Sequence, residues 1–332
     1  MKVTREMLHE DLRPSYRVAM LFPKLLQYRG FVRFLNWLGR TFGRMKQFDG
    51  FDGKAHSVPT SDGSASMRVL VYRPKNTEGK LPALLYLHGG GYIMGNPEQA
   101  AEIIESYLKA RPCVVIAPDY RKSYTRPFPA GFEDCYDALL WAKANAESLG
   151  IESDRFMVAG HSAGGGLAAA VTLKARDTGD VDIAFQMPIY PMIDDTQPDD
   201  AARDIESPIW DTRMNRIGWG AYLAGLRAAG EPIPAYAAPF RCEDCAGLPP
   251  TITFVGTLEP FYQETGAYVQ ALRNAGVEVV YEEFEGCYHA FDFIGGKAGI
   301  SARARAFTFD NFGRFYDQYV NKPPVGADIA TA

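Results

Sequence analysis

The sequence predicts an α/β protein built on a mostly parallel sheet with helices on both faces. Three observations carry that expectation. Between residues 67 and 319, short apolar or alternating runs of strand length take turns with longer runs of helical periodicity. One apolar run, Phe156–Ala159, passes through Gly160-His161-Ser162-Ala163-Gly164 and leaves as a small-residue helical run. Another, Ala83–Leu87, leads straight into His88-Gly89-Gly90-Gly91. Parallel strands need long crossovers, and a helix between successive strands is the usual one.

Composition bounds what such a chain can be. At 332 residues, 47% hydrophobic and 23% charged, it has the balance of an ordinary soluble globule. It is long enough for one large domain with an insertion. A net charge of −5 argues against the basic surface that nucleic-acid binding needs. Five cysteines in a chain of this length do not read as a disulfide framework, and reduced thiols fit better. Arg5, Glu6, His9, Glu10, Asp11 and Arg13 interrupt any apolar signal-peptide core. The longest apolar runs are of strand length, so no transmembrane helix is expected. A cytoplasmic protein is the resulting expectation.

The elements follow in order. Residues 1–50 are basic and aromatic. Leu21, Leu25 and Tyr28 recur at helical spacing, as do Phe31, Phe34, Leu35, Leu38 and Phe42, with Arg29, Arg33, Arg40 and Arg44 on other faces. A pair of amphipathic helices packed as a lid is the favoured reading; an interfacial helix on anionic lipid is the alternative. A Gly/Asp/Ser/Pro-rich connection is expected from Asp49 to Ser64. Strands are predicted at 67–73, 83–87, 114–117, 156–159, 183–189, 251–255 and 278–283. Helices are predicted at 98–109, 132–148, after Ser162, 264–275 and 302–319. Residues 194–240 break the rhythm with clustered Asp, Pro, Trp and Gly and one helical piece near 215–226. So long a stretch without a strand reads as an insertion above the sheet, completing a cap with residues 1–50. The sheet domain is then 51–193 and 241–322, and 323–332 reads as a loose tail.

The Gly-x-Ser-x-Gly unit carries the first chemistry. A strained strand-to-helix turn admits only small residues two positions either side, which Gly160 and Gly164 supply. The Ser162 hydroxyl is then exposed at the strand's carboxyl end. The amide of Ala163 lies at a helix N-terminus, where orphan N–H groups favour developing negative charge. Gly89, Gly90 and Gly91 let another backbone segment aim its amides at a carbonyl oxygen. No Lys-Ser/Thr pair follows them, which argues against a phosphate cradle. His88, beside that loop, reads as its buttress.

A serine nucleophile needs a base and an acid to orient it. Of five histidines, only His289 stands in a late loop after a predicted strand, where a base is needed. Glu259 stands at the end of the strand 251–255, and Glu264 and Asp292 are rivals for the acid. Cys242-Glu243-Asp244-Cys245 has two thiols but too few neighbouring ligands for zinc, so no metal is expected. His161 is expected to pack under the glycine loop, where its charging in mild acid would perturb activity.

The combination of His88-Gly89-Gly90-Gly91, Asp119-Tyr120-Arg121, Pro127-Phe128-Pro129-Ala130, Gly160-x-Ser162-Ala163-Gly164-Gly165, Ile189-Tyr190-Pro191, Leu248-Pro249-Pro250-Thr251 and Tyr288-His289-Ala290-Phe291 resembles the hormone-sensitive-lipase family, bacterial family IV, of α/β-hydrolase esterases. The resemblance spans about residues 65–320. It implies the α/β-hydrolase fold with a helical cap. It implies Ser162 as nucleophile, His289 as base, and the amides of Gly90, Gly91 and Ala163, with Gly89 beside them, as oxyanion hole. Three departures stand out: His161 where Asp is usual, Glu259 where Asp is usual, and Lys122-Ser123-Tyr124-Thr125-Arg126 in place of an apolar-acidic segment supporting the glycine loop.

The expected function is a serine carboxylesterase acting on short to medium acyl esters with no cofactor. An amidase or formamidase on the same triad is the alternative, and a ligand-binding homologue without catalysis is a second. The expected partner is a small-molecule ester, with no nucleic acid, no membrane and a homodimer left open. Ile103, Tyr124, Trp210, Trp219 and Phe261 are candidate pocket linings.

Overall fold

The computed structural model describes residues 1–296 and 299–321; the tail expected at 323–332 lies outside them. Eight strands form one sheet: β1 Phe51–Pro59, β2 Ser66–Pro74, β3 Leu81–Leu87, β4 Val114–Pro118, β5 Ile151–His161, β6 Ile183–Ile189, β7 Thr251–Gly256 and β8 Val279–Phe284. Their spatial order is β1-β2-β4-β3-β5-β6-β7-β8. The β1/β2 and β2/β4 pairs are antiparallel, and all pairs from β4 to β8 are parallel. Every residue of β3, β4 and β7 is buried, which is why these strands read as unbroken apolar runs.

The helices are α1 Tyr16–Ala19, α2 Leu21–Leu26, α3 Arg29–Phe42, α4 Ala101–Ala110, α5 Ala130–Ala144, α6 Ala146–Leu149, α7 Ala163–Thr178, α8 Thr212–Tyr222, α9 Ala224–Ala229, α10 Tyr262–Asn274, α11 Phe291–Ile294 and α12 Gly299–Phe315. Helix α4 packs on α12 through Tyr107 against Phe309 and Phe312. On α7, small residues let the helix sit hard against the sheet. A Cβ at Gly164 would stand 2.1 Å from the Leu87 carbonyl oxygen. Phe254 of β7 meets Phe284, Phe291 and Phe307 edge-on, tying the last strands to α12. Truncating so buried a ring costs about 3–5 kcal/mol.

One expectation is corrected here. The stretch expected as a connection after residue 49 is strand β1, paired along its whole length with β2. It is an edge strand with most of its residues exposed, so its polar side chains hid it. The turn residues are only at its ends, where Gly50 and Gly63 take φ of 84° and 66°. Between residues 194 and 240 no named strand occurs, and α8 and α9 occupy the predicted helical piece. Asp211 caps α8 by accepting from the Met214 amide at 2.8 Å.

Parallel order puts the carboxyl ends of β3, β5, β7 and β8 on one rim. Leu87 pairs with Gly160 and Gly256 with Phe284. The glycine loop, Ser162, Glu259 and His289 all follow directly on those ends.

Candidate active site

Ser162 joins β5 to α7 with φ 59° and ψ −124°, a conformation that L side chains rarely adopt and that persists only when surroundings fix it. Three backbone bonds do so. Its amide donates to Ile189 O at 3.0 Å, and its carbonyl accepts from Gly166 at 2.9 Å and Met192 at 3.0 Å. Gly160 admits the turn because a Cβ there would meet Gly164 O at 2.1 Å.

His289 follows β8, and its Nε2 lies 2.8 Å from Ser162 Oγ. Its Nδ1 makes a short contact with Glu259 Oε2. The other oxygen of Glu259 accepts from the Gly256 amide at 3.0 Å, which fixes the carboxyl. Glu259, His289 and Ser162 are all buried. Phe261 and Tyr190 stand edge-on to the imidazole at 5.0 and 4.9 Å and hold its plane. With Nδ1–H donating to Glu259, Nε2 is left free to take a proton from the hydroxyl.

The rivals for the acid lie elsewhere. Glu264 Oε1 accepts from the amides of Ile193 and Asp194, staples α10 to the loop after β6, and does not reach His289. Burial pushes its carboxyl well above the usual range. Asp292 accepts from Tyr190 Oη at 3.0 Å, and burial pushes its carboxyl up to about 7.

The glycine loop runs beside the serine. A Cβ at Gly89 would stand 3.4 Å from Ser162 Cβ. Gly90 and Gly91 take φ of 121° and 57°, and a Cβ on Gly91 would meet the Trp210 ring at 2.0 Å. Among the described residues, the amides of Gly89, Gly90 and Gly91 donate to nothing. The Ala163 amide opens the first turn of α7, where N–H groups have no intrahelical acceptor. These are donors available to an oxyanion.

Lys122, read as a departure, braces this loop. Its Nζ lies 3.2 Å from His88 Nε2 and 3.1 Å from Asp119 Oδ1, and also contacts Tyr120 O. His88 stacks on Tyr120 at 4.2 Å, and Tyr120 Oη donates to His88 O at 2.8 Å. Burial, then the Lys122 charge, pushes the His88 imidazole down to about 3. The ring is therefore neutral: Nε2 accepts from the ammonium and Nδ1–H donates to Gly89 O at 2.7 Å. Ser123 adds two bonds to Tyr92 O, from its amide at 2.9 Å and its hydroxyl at 3.0 Å. Lys122 went unread as support because its partner His88 is distant in sequence and both are buried.

The cavity over Ser162 has a volume of about 370 Å³. The glycine loop, His289, Met94, Ile209, Ile103 and Trp210 line it, as do Phe22 and Leu26 of α2. Ile103 and Trp210 were expected. The other three expected linings are not among its walls. Trp219 is buried against Tyr92 and Tyr222, Phe261 backs His289, and Tyr124 borders a separate hollow with Arg33 and Trp37. The His161 ring packs among Tyr86, Tyr190 and Phe293, and the pH role expected for it is corrected. Burial, then His289, pushes it down to about 3, well below mild acid. Tyr86 Oη contacts its Nδ1 at 3.1 Å. Cys242 and Cys245 stand in a loop bonded to Arg176, and burial pushes the Cys245 thiol up to about 11.

The chain is similar to proteins named as esterases. A family model described as the alpha/beta hydrolase fold matches residues 84–293. Carboxylesterase NlhH of Mycobacterium tuberculosis is 34% identical over 223 residues, 66% of this chain and 69% of that protein. Esterase LipI of the same organism is 31% identical over 233 residues, 70% of this chain and 71% of its own. A solved bacterial heroin esterase superposes with a TM-score of 0.83 at 32% identity, over 94% of this chain and 99% of that one. Esterase LipW from Mycobacterium marinum gives 0.76 at 25% identity, over 94% and 97%. On the matched family model and these relatives, the chain belongs to the alpha/beta hydrolase fold family, in its hormone-sensitive-lipase-like branch.

Proposed function

We propose that the protein is a serine carboxylesterase, with Ser162 as nucleophile, His289 as general base and acid, and Glu259 as the group that orients and stabilises the imidazole. The observation that carries the reading is the unbroken relay from Ser162 Oγ through His289 to Glu259. Relatives and structural neighbours named as esterases support the reaction class.

Ser162 attacks the ester carbonyl as His289 takes its proton. Negative charge gathers on the carbonyl oxygen, against the amides of Ala163, Gly90 and Gly91 with Gly89 beside them. His289 then protonates the departing alkoxide, and water enters by the same route to free the acid. Each fixed donor in such a hole contributes about 3 kcal/mol to the barrier reduction. No step requires a cofactor.

Residues 1–50 and 194–240 form the cap of this reading, over a catalytic domain of 51–193 and 241–322. A cavity of about 370 Å³ suits short to medium acyl groups. No helix among the described residues is long and apolar enough to cross a membrane, and the cytoplasm is the proposed compartment. The test is a p-nitrophenyl ester series from acetate to laurate, run on the native protein and on Ser162→Ala. Highest kcat/KM at butyrate or hexanoate, lost in the variant, is the expected result. Highest kcat/KM at laurate overturns the acyl-length assignment, and faster cleavage of an aryl amide than of its ester overturns the esterase reading.

A further inference from the structure

Helix α3 is amphipathic in the wrong direction for a packed lid. Its face toward the protein is narrow and mixed: Val32 is buried, Leu35, Asn36 and Gly39 are half-buried, and Arg33 and Arg40 stay exposed. Asn36 donates to Ile93 O at 2.8 Å and accepts from the Gly95 amide at 3.3 Å. Arg29 donates to Tyr124 O at 3.0 Å. Among its residues only Val32 is fully buried. The apolar stripe points to solvent. Phe34, Trp37 and Phe42 are 51%, 55% and 65% exposed. Leu21 and Leu25 of α2 extend the stripe, each about half exposed. Scattered exposed apolar residues are ordinary, but a contiguous aromatic stripe marks a surface that something covers.

Charge says what covers it. Between Leu12 and Phe48 the chain has eight Lys or Arg residues and no Asp or Glu, although the whole chain carries −5. A second copy applied through the same face would set these cations against themselves, with no counter-charge. An anionic lipid headgroup layer supplies the counter-charge and accepts the aromatic stripe.

We propose that α2 and α3 dock on the surface of an anionic phospholipid bilayer. The helices lie in the headgroup plane, with Phe34, Trp37 and Phe42 below it and the arginines beside it. Phe22 and Leu26, on the adjoining turns of α2, line the cavity over Ser162. Docking therefore brings the cavity mouth to the lipid surface. This revises the expectation of a lid with no membrane partner. Docking does not rest on the esterase reading, since it needs no turnover.

The test is co-sedimentation of the full chain with vesicles of phosphatidylglycerol and phosphatidylcholine, against vesicles of phosphatidylcholine alone. The double variant Phe34→Glu/Phe42→Glu is compared with the native chain, and p-nitrophenyl butyrate turnover in solution reports that it is folded. The native chain should partition onto the anionic vesicles at least about tenfold better than onto neutral ones, and lose that advantage at high salt. The double variant should lose about tenfold or more in partitioning while keeping solution turnover. Equal binding to both vesicle types, no binding to either, or unchanged binding by the variant overturns the proposal. So does light scattering that finds a native dimer which the same variant splits into monomers. A chain that binds vesicles but does not cleave the ester overturns the catalytic reading and leaves docking standing.

Discussion

The ammonium of Lys122 stands 3.2 Å from Nε2 of His88, in the wall behind the glycine loop. Through His88 Nδ1–H and the Gly89 carbonyl, a buried cation thus fixes the backbone that carries the proposed oxyanion donors. A charge held this way resists small movements of the loop, because each hydrogen bond in the chain has a single partner geometry.

Lys122→Met should therefore lower kcat by roughly tenfold to a hundredfold while KM changes little, since the side chain braces donors that act mainly in the transition state. The oxyanion donors are backbone groups and stay present, so the loss falls short of removing a triad member. Steady-state kinetics on p-nitrophenyl butyrate checks this. An unchanged kcat would separate the loop from its brace.

Three carboxyls compete for the triad acid, and the contacts divide them. Glu259→Gln should lower kcat by about 10³–10⁴-fold, since an amide no longer holds the imidazole in the useful tautomer. Glu264→Gln and Asp292→Asn should stay within about tenfold of native activity, because neither carboxyl reaches His289 and the amide keeps most of their hydrogen bonds. Parallel kinetics on the three variants gives the answer.

His161 is buried beside Ser162 yet held neutral, pushed down to about 3. His161→Asn should leave the shape of the pH–rate profile between pH 5 and 8 as in the native protein. A displaced acid limb in the variant would mean that the ring titrates where turnover is measured.

Asp292 makes a stability prediction with a definite sign. Its folded-state carboxyl is pushed up to about 7 by burial, above its ordinary value of 3.8. The folded state then holds more protons than the unfolded chain in that window. Stability falls as pH rises from about 4 to 7, and the cost of ionising the buried group is fully present above. Asp292→Asn removes the ionisable group and keeps an acceptor for Tyr190. Urea unfolding should show a flatter decline over that window, and a variant gain near pH 8 of order 1–4 kcal/mol. An identical slope in both proteins would contradict it.

The parts of the site that were legible in the sequence are local. Ser162 sits inside a turn that demands small neighbours, and Gly89–Gly91 follow directly on an apolar strand, so residue type and position coincide. His289 and Glu259 were found because strand ends converge in a parallel sheet. Long-range relations were not legible. Lys122 reads only as part of a departure from the family's usual segment until its burial and its bond to His88 are known. β1 is polar along an exposed edge and has no apolar run to mark it. Trp219 and Phe261 look like pocket walls by type, yet each is spent on packing behind the walls. The stripe on α3 was visible as a period, but periodicity does not say which side faces the protein, and here the apolar side faces out.

The central claim is that Ser162 is the activated nucleophile, and covalent capture tests it most directly. The native protein would be incubated with a fluorophosphonate and its intact and peptide masses measured. A single adduct on the peptide containing Ser162, absent in Ser162→Ala and strongly slowed in His289→Ala, is the predicted result. A protein that turns over esters while the adduct forms on another residue, or on none, would contradict it.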